Sequence, residues 1–144
     1  MNYKHVMLAV NFDGNATFLI RKAAQEARLH HALFSVIHID PDFSALYEGV
    51  REFDGLNDRE AQSEGVVAMT QLLSDVDYPV HKHIFYAGYV EDQIIRAIHT
   101  FEVDLLIIGH HESTIFRQLT MSASEPLLRR MPCDIQFIKL EDEQ

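Results

Sequence analysis

The chain has 144 residues and a formal net charge of −10, from 12 Lys and Arg against 22 Asp and Glu, with a single cysteine. That length suits one domain with a sizeable core, able to remove roughly 68–70% of its unfolded surface from water. The cations are scattered, which disfavours nucleic acid or an anionic membrane as partner, and the lone cysteine excludes an internal disulfide.

The opening Met1-Asn2-Tyr3-Lys4-His5-Val6 lacks a signal-peptide pattern, and no apolar run nears the ~18 residues of a membrane span, so a cytoplasmic location is expected. Val6-Met7-Leu8-Ala9-Val10 is an apolar run ahead of the turn-prone Asn11-Phe12-Asp13-Gly14-Asn15 and reads as a buried first strand. Phe18, Leu19, Ala23, Ala27 and Leu29 then recur at spacings near three and four, which predicts an amphipathic helix over 16–31 with Asn15 as its N-cap. Leu33-Phe34-Ser35-Val36-Ile37-His38-Ile39 is the second strand, stopped by Asp40-Pro41-Asp42. Within it His38 stands among apolar neighbours and reads as a hydrogen-bonded structural histidine. From 43 to 57 aromatic and chain-breaking residues mix without a period, which reads as a loop with room for a short helix.

Ala61, Val66, Ala68, Met69, Leu72, Leu73 and Val76 support a second helix over 58–76. Residues 80–87 alternate loosely between polar and apolar, as a strand nearer the sheet edge does. A third helix is predicted over 90–100, burying Ile94, Ile95, Ala97 and Ile98, with Glu91 and Asp92 well placed at its positive end. Leu105-Leu106-Ile107-Ile108-Gly109 then leaves no polar face, which marks a central parallel strand covered on both sides. A loop over 110–121, a helix over 122–130 capped by Ser122 or Ser124, a strand over 133–140 and an acidic tail over 141–144 follow. Strands and helices in this alternation predict a doubly wound α/β fold, a five-stranded parallel sheet with helices on both faces. Ligands of such sheets sit beyond the carboxyl ends of the strands, so chemistry is expected in the segment after Gly109.

Tyr3-Lys4-His5-Val6, Leu8-Ala9-Val10, Val36-Ile37-His38-Ile39-Asp40, Ser44-Ala45-Leu46-Tyr47-Glu48-Gly49 and above all Asp104-Leu105-Leu106-Ile107-Ile108-Gly109-His110-His111 resemble the universal stress protein family, in particular its A class. The resemblance runs from about residue 3 to 140. It implies the strand order 3-2-1-4-5 and a cytoplasmic, non-catalytic regulatory module that aids survival under stress. It also implies a homodimer joined through the fifth strand, by Asp134, Ile135, Gln136, Phe137, Ile138, Lys139 and Leu140, and pairing with other universal stress proteins. An unpaired apolar edge there is a liability that a twin would remove.

One subset of the family binds ATP through an aspartate after the first strand and a Gly-x-x-Gly, nine residues, Gly-Ser/Thr signature after the fourth. Such glycines let backbone N–H groups close on phosphates. Here the aspartate position holds Asn11, the first glycine is Gly109, the second position is Glu112, the third is Ser122 and the hydroxyl position is Ala123. A carboxylate ~4 Å from a phosphate charge is repelled by roughly 4 kcal/mol at an effective dielectric of ~20. The chain is therefore expected to bind no nucleotide and to need no cofactor. The alternative is a weak ATP site on Gly109, Ser122 and Ala123, with Asn11 reaching the base or ribose.

By residue type His110-His111-Glu112, with His81 and His83, suits zinc. Adjacent His110 and His111 point different ways, however, and no third ligand stands at a helical spacing, so surface histidines and no metal are expected. Ser113, Thr114, Ser122 and Ser124 lack a Gly-x-Ser-x-Gly turn, and Cys133 lacks a neighbouring cation and reads as a small buried hydrophobe. No catalytic residue is expected.

Overall fold

Successive residues of a strand face opposite sides of a sheet, and here both sides of the central strands are apolar. Val6, Leu8 and Val10 join Phe34, Val36, Leu105 and Ile107 in one buried cluster, while Met7, Ile37, Ile39, Leu106 and Ile108 join another. A strand with two apolar faces needs cover on both, which explains the uninterrupted hydrophobic runs. In this computed structural model residues 2–10, 15–40, 52–53, 67, 70–74, 76–110, 129–130 and 132–140 are described.

In chain order the elements are β1 (His5–Ala9), α1 (Ala16–His30), β2 (Leu33–Asp40), β3 (Glu52–Phe53), β4 (Lys82–Ala87), α2 (Val90–Phe101), β5 (Leu105–His110) and β6 (Asp134–Lys139). The sheet runs β3-β4-β2-β1-β5-β6. Its five long strands are parallel, in the 3-2-1-4-5 order expected, and α1 covers one face while α2 covers the other. The addition is β3, which lies antiparallel on the outer edge of β4, pairing Glu52 with Tyr86 and Phe53 with Phe85. It falls inside the stretch read as a loop with a short helix. A sheet edge exposes unpaired N–H and C=O groups, and here two residues answer part of that need.

On α1 the expected Leu19, Ala23 and Ala27 face the core, but two of the expected residues do not. Ala16, Leu19, Ile20, Ala23, Ala24 and Ala27 are buried, whereas Phe18 and Leu29 are exposed. The sheet-facing stripe follows the alanines because small side chains let the helix axis sit close to the strands. Phe18 instead lies beneath the Lys22 ammonium, 5.7 Å from its ring centroid. Asn15 occupies the N-cap position without a side-chain capping bond, and its carbonyl accepts the Leu19 N–H at 3.0 Å. The helix predicted over 58–76 is described only at 67, 70–74 and 76, where Leu72, Leu73 and Val76 pack half-buried on the α1-side core. Of the helix predicted over 122–130, only residues 129–130 are described, and they are helical.

Both described helices end on a left-handed residue other than glycine, His31 (φ 53°) and Glu102 (φ 54°). The amides that follow close each end, Ala32 to the Ala27 carbonyl at 2.8 Å and Val103 to the Ile98 carbonyl at 3.0 Å. The chain thus turns directly into β2 and β5. At the start of β5 the Asp104 carboxylate accepts the Lys4 N–H at 2.8 Å and the His5 N–H at 2.9 Å, while the Asp104 N–H donates to the His5 carbonyl at 3.1 Å. These bonds fix where β1 begins against β5.

His5 itself is buried. Its Nδ1–H donates to the Phe101 carbonyl at 2.8 Å, which leaves Nε2 to accept the Ser35 hydroxyl at 2.7 Å. Burial pushes its pKa below the usual imidazole value, an effect that His81 reinforces and that the Phe101 carbonyl and Asp104 oppose. Burial likewise lowers the pKa of His83. A depressed imidazole pKa means that the unfolded chain binds the proton more readily. Stability is then fully present above the unfolded value of 6.5 and drains away as pH falls toward the lower folded value. Urea midpoints are expected to drop between pH 7 and pH 5 as the unfolded chain takes up the proton that buried His5 resists. The drop should be visibly smaller in a His5→Gln variant, and equal slopes in the two proteins would sink the assignment.

Candidate functional site: the carboxyl end of the sheet

The crevice of a doubly wound sheet lies beyond the strands flanking the reversal of order, here β1 and β5. The described floor is made by the ends of β1, β2 and β5. Val10 is tied to β2 twice, by its N–H to the Ile37 carbonyl at 2.9 Å and by its carbonyl, which accepts Nδ1–H of His38 at 3.0 Å. A carbonyl only accepts, so this bond fixes the His38 tautomer. The structural role expected for His38 therefore holds, and the residue braces the backbone immediately before position 11. Ile39 and Ile108 are buried beside it, so the floor is apolar.

Gly109 pairs with Ile138 of β6. A Cβ built on it would lie 2.8 Å from Leu19 Cδ1 and 2.8 Å from Leu140 Cδ1. Those leucines belong to α1 and to the residue after β6, and they fill the space that any larger side chain would need. The glycine is required by packing. Asn11, Glu112, Ser122 and Ala123, with His111, Ser113, Thr114 and Ser124, lie outside the described residues.

The histidines grouped by residue type are separated in space. Register aligns His83 with Val36, Leu8 and Ile107 across the sheet. His110 is three residues further along and three strands away, roughly 10 Å by 14 Å at ordinary strand spacings. His81, before β4, is further still. No ion held by bonds of about 2.1 Å spans that gap, so His81 and His83 cannot complete a site with His110.

A nucleophile, a base and an orienting acceptor do meet, in Ser35, His5 and the Phe101 carbonyl. Sequence reading missed them, since residues scattered over three elements carry no spacing signal. They stand at the amino end of the sheet with Ser35 0% and His5 3% exposed, so no substrate reaches them. Cys133 is only half-buried, yet burial pushes its thiol up to about 11, opposed by the Leu106 backbone, and its S–H donates to the Asp134 carbonyl at 3.3 Å. A thiol of that pKa offers little thiolate near neutrality.

The strand expected to join two copies is the last of the sheet. β6 pairs with β5 on one side, and among the described residues no strand pairs with its other side. Asp134 accepts the Tyr3 hydroxyl at 2.8 Å, and Phe137 is 38% exposed despite its size. Ile135 and Ile138 are half-buried on opposite faces, and Leu140 differs from the others in being sealed in the core beneath Gly109.

Comparison with known proteins agrees with this architecture. Residues 2–139 match the sequence model of the universal stress protein family. The chain is 34% identical over 143 residues to the universal stress protein A homolog of Pasteurella multocida, covering 98% of this chain and 99% of that one. It shares its fold with the universal stress protein UspA from Lactobacillus plantarum, with a TM-score of 0.67 at 19% identity over 96% of this chain and 99% of that one. It does so too with a universal stress protein solved in complex with cAMP, with a TM-score of 0.64 at 16% identity over 96% and 98% of the two chains.

Proposed function

The chain belongs to the universal stress protein family, and we propose that within it this protein is a homodimeric regulatory module, aiding survival under stress, that binds no nucleotide and turns over no substrate. The observation that carries the reading is the use made of Gly109. The one glycine that remains of the phosphate-binding signature is enclosed by Leu19 and Leu140. The two other glycine positions hold Glu112 and Ser122, of which the first brings a negative charge and both bring side chains. The A-class relative at 34% identity favours the same assignment over nearly the full chain. Dimerisation through Asp134 to Lys139 is supported by the open side of β6 and by the exposed Phe137.

The fold neighbour with cAMP gives the competing reading, a nucleotide-binding protein, its specific support. Thermal unfolding with 5 mM Mg-ATP and with 5 mM cAMP separates the two. No shift in Tm is expected, whereas occupancy at 100 times Kd would add about 2.7 kcal/mol and several degrees. A Phe137→Asp variant is expected to move the sizing profile from dimer toward monomer while the circular dichroism stays native. A wild-type protein that runs as a monomer at tens of micromolar would overturn the dimeric part.

A further inference from the structure

At the amino end of the sheet, opposite the crevice, a groove of about 480 Å³ opens between the end of α1, the starts of β1 and β2 and the segment leading to β4. That volume lies within the range of sites for small molecules. Its one formally charged lining side chain is Lys4, beside the imidazoles of His31 and His81, and no carboxylate lines it, in a chain whose formal charge is −10. None of the three enters an ion pair among the described residues. The walls between them are apolar, from Leu33, Pro79 and Val80.

The groove is held in shape by the backbone. Leu33 N–H donates to the Lys4 carbonyl at 2.9 Å, His81 N–H to the Phe34 carbonyl at 2.6 Å, and the Tyr78 hydroxyl to the Ala32 carbonyl at 2.6 Å. The His81 ring stands edge-on to the buried His5, with centroids 5.6 Å apart. His31 is fixed by its left-handed position at the end of α1. An apolar slot rimmed by one ammonium and two imidazoles offers N–H donors to an anionic head group on a backbone already held by hydrogen bonds.

We propose that this groove binds a small organic anion with an apolar body, a carboxylate on an aromatic or aliphatic frame, its head group meeting Lys4, His31 and His81 and its body lying on Leu33, Pro79 and Val80. Charge complementarity selects the head group, and the apolar wall selects an organic acid over an inorganic anion. The site is independent of the crevice after Gly109 and of whether two copies associate.

Titration of the isotope-labelled protein with benzoate, followed by amide chemical shifts, tests the proposal. Saturable shifts are expected at Leu33, Val80 and His81, with affinity falling at least tenfold in Lys4→Glu and in His81→Glu. Both positions are exposed, and Lys4→Gln, which removes the charge without reversing it, should fall between wild type and Lys4→Glu. Benzylamine carries a similar ring with the opposite charge and should produce no such shifts, and inorganic phosphate should bind at least tenfold more weakly than benzoate. Equal binding of benzylamine, equal binding of phosphate, shifts indifferent to Lys4→Glu, or no saturation by benzoate would each overturn it.

Discussion

Replacing Phe34 by alanine is expected to cost about 3–5 kcal/mol, a large share of the roughly 5–15 kcal/mol that holds a domain of this kind together. Phe34 is 0% exposed and lies on β2 in the cluster that binds α1 to the sheet, with Val6, Leu8, Val36 and Leu105. Truncation removes the transfer energy of the ring and leaves a cavity. The surrounding strands cannot close that cavity, because β1 and β4 pair with β2 on either side. The check is the urea midpoint: it should fall with the m-value unchanged. A loss under 1 kcal/mol would mean that the helix and sheet do not meet as described.

Asp104→Ala should cost nearly as much, about 3 kcal/mol, although the side chain is only half-buried. Its carboxylate takes two backbone N–H groups of the neighbouring chain segment, Lys4 and His5, and hydrogen bonds to a charged group contribute roughly 1.5–3 kcal/mol each. Removing it strands the N–H of the buried His5 and leaves that of the exposed Lys4 to water. Asp104→Asn should recover less than half of the loss, because an amide offers one oxygen where two donors converge and turns its NH2 toward the other. Chemical denaturation of the three proteins decides this, and a neutral Asp104→Ala would show that the clamp contributes nothing.

What the sequence disclosed and what it hid follow one physical line. Runs such as Val6 to Val10 and Leu105 to Ile108 announce strands with two covered faces, and their alternation with helices announces a parallel doubly wound sheet, whereas the strand order came from the family resemblance. On α1 the expected Leu19, Ala23 and Ala27 are buried, but Phe18 and Leu29 are not, because Phe18 weighs more on a hydropathy count than Ala16 or Ala24 whereas contact with a flat sheet rewards the smaller side chains. A two-residue strand such as β3 is too short to show alternation. Asp104 and His5 stand at strand starts, where polar residues read as ordinary punctuation, and their partners are about a hundred residues away. Gly109 was legible as a special position but not for its reason, since Leu19 and Leu140 come from opposite ends of the chain. The groove is built from segments separated by some fifty residues, so no local spacing betrays it.

The short antiparallel segment on β4 has a bearing on assembly. With Phe85 and Tyr86 already engaged by Phe53 and Glu52, the two borders of the sheet are not equivalent: among the described residues one is interrupted midway and the other carries no partner strand. Copies that meet through the clear border use it up, and the interrupted one offers no uninterrupted ladder for a third. In the proposed dimer, growth into a filament, the usual hazard of an open sheet, would meet that two-residue interruption at its next step.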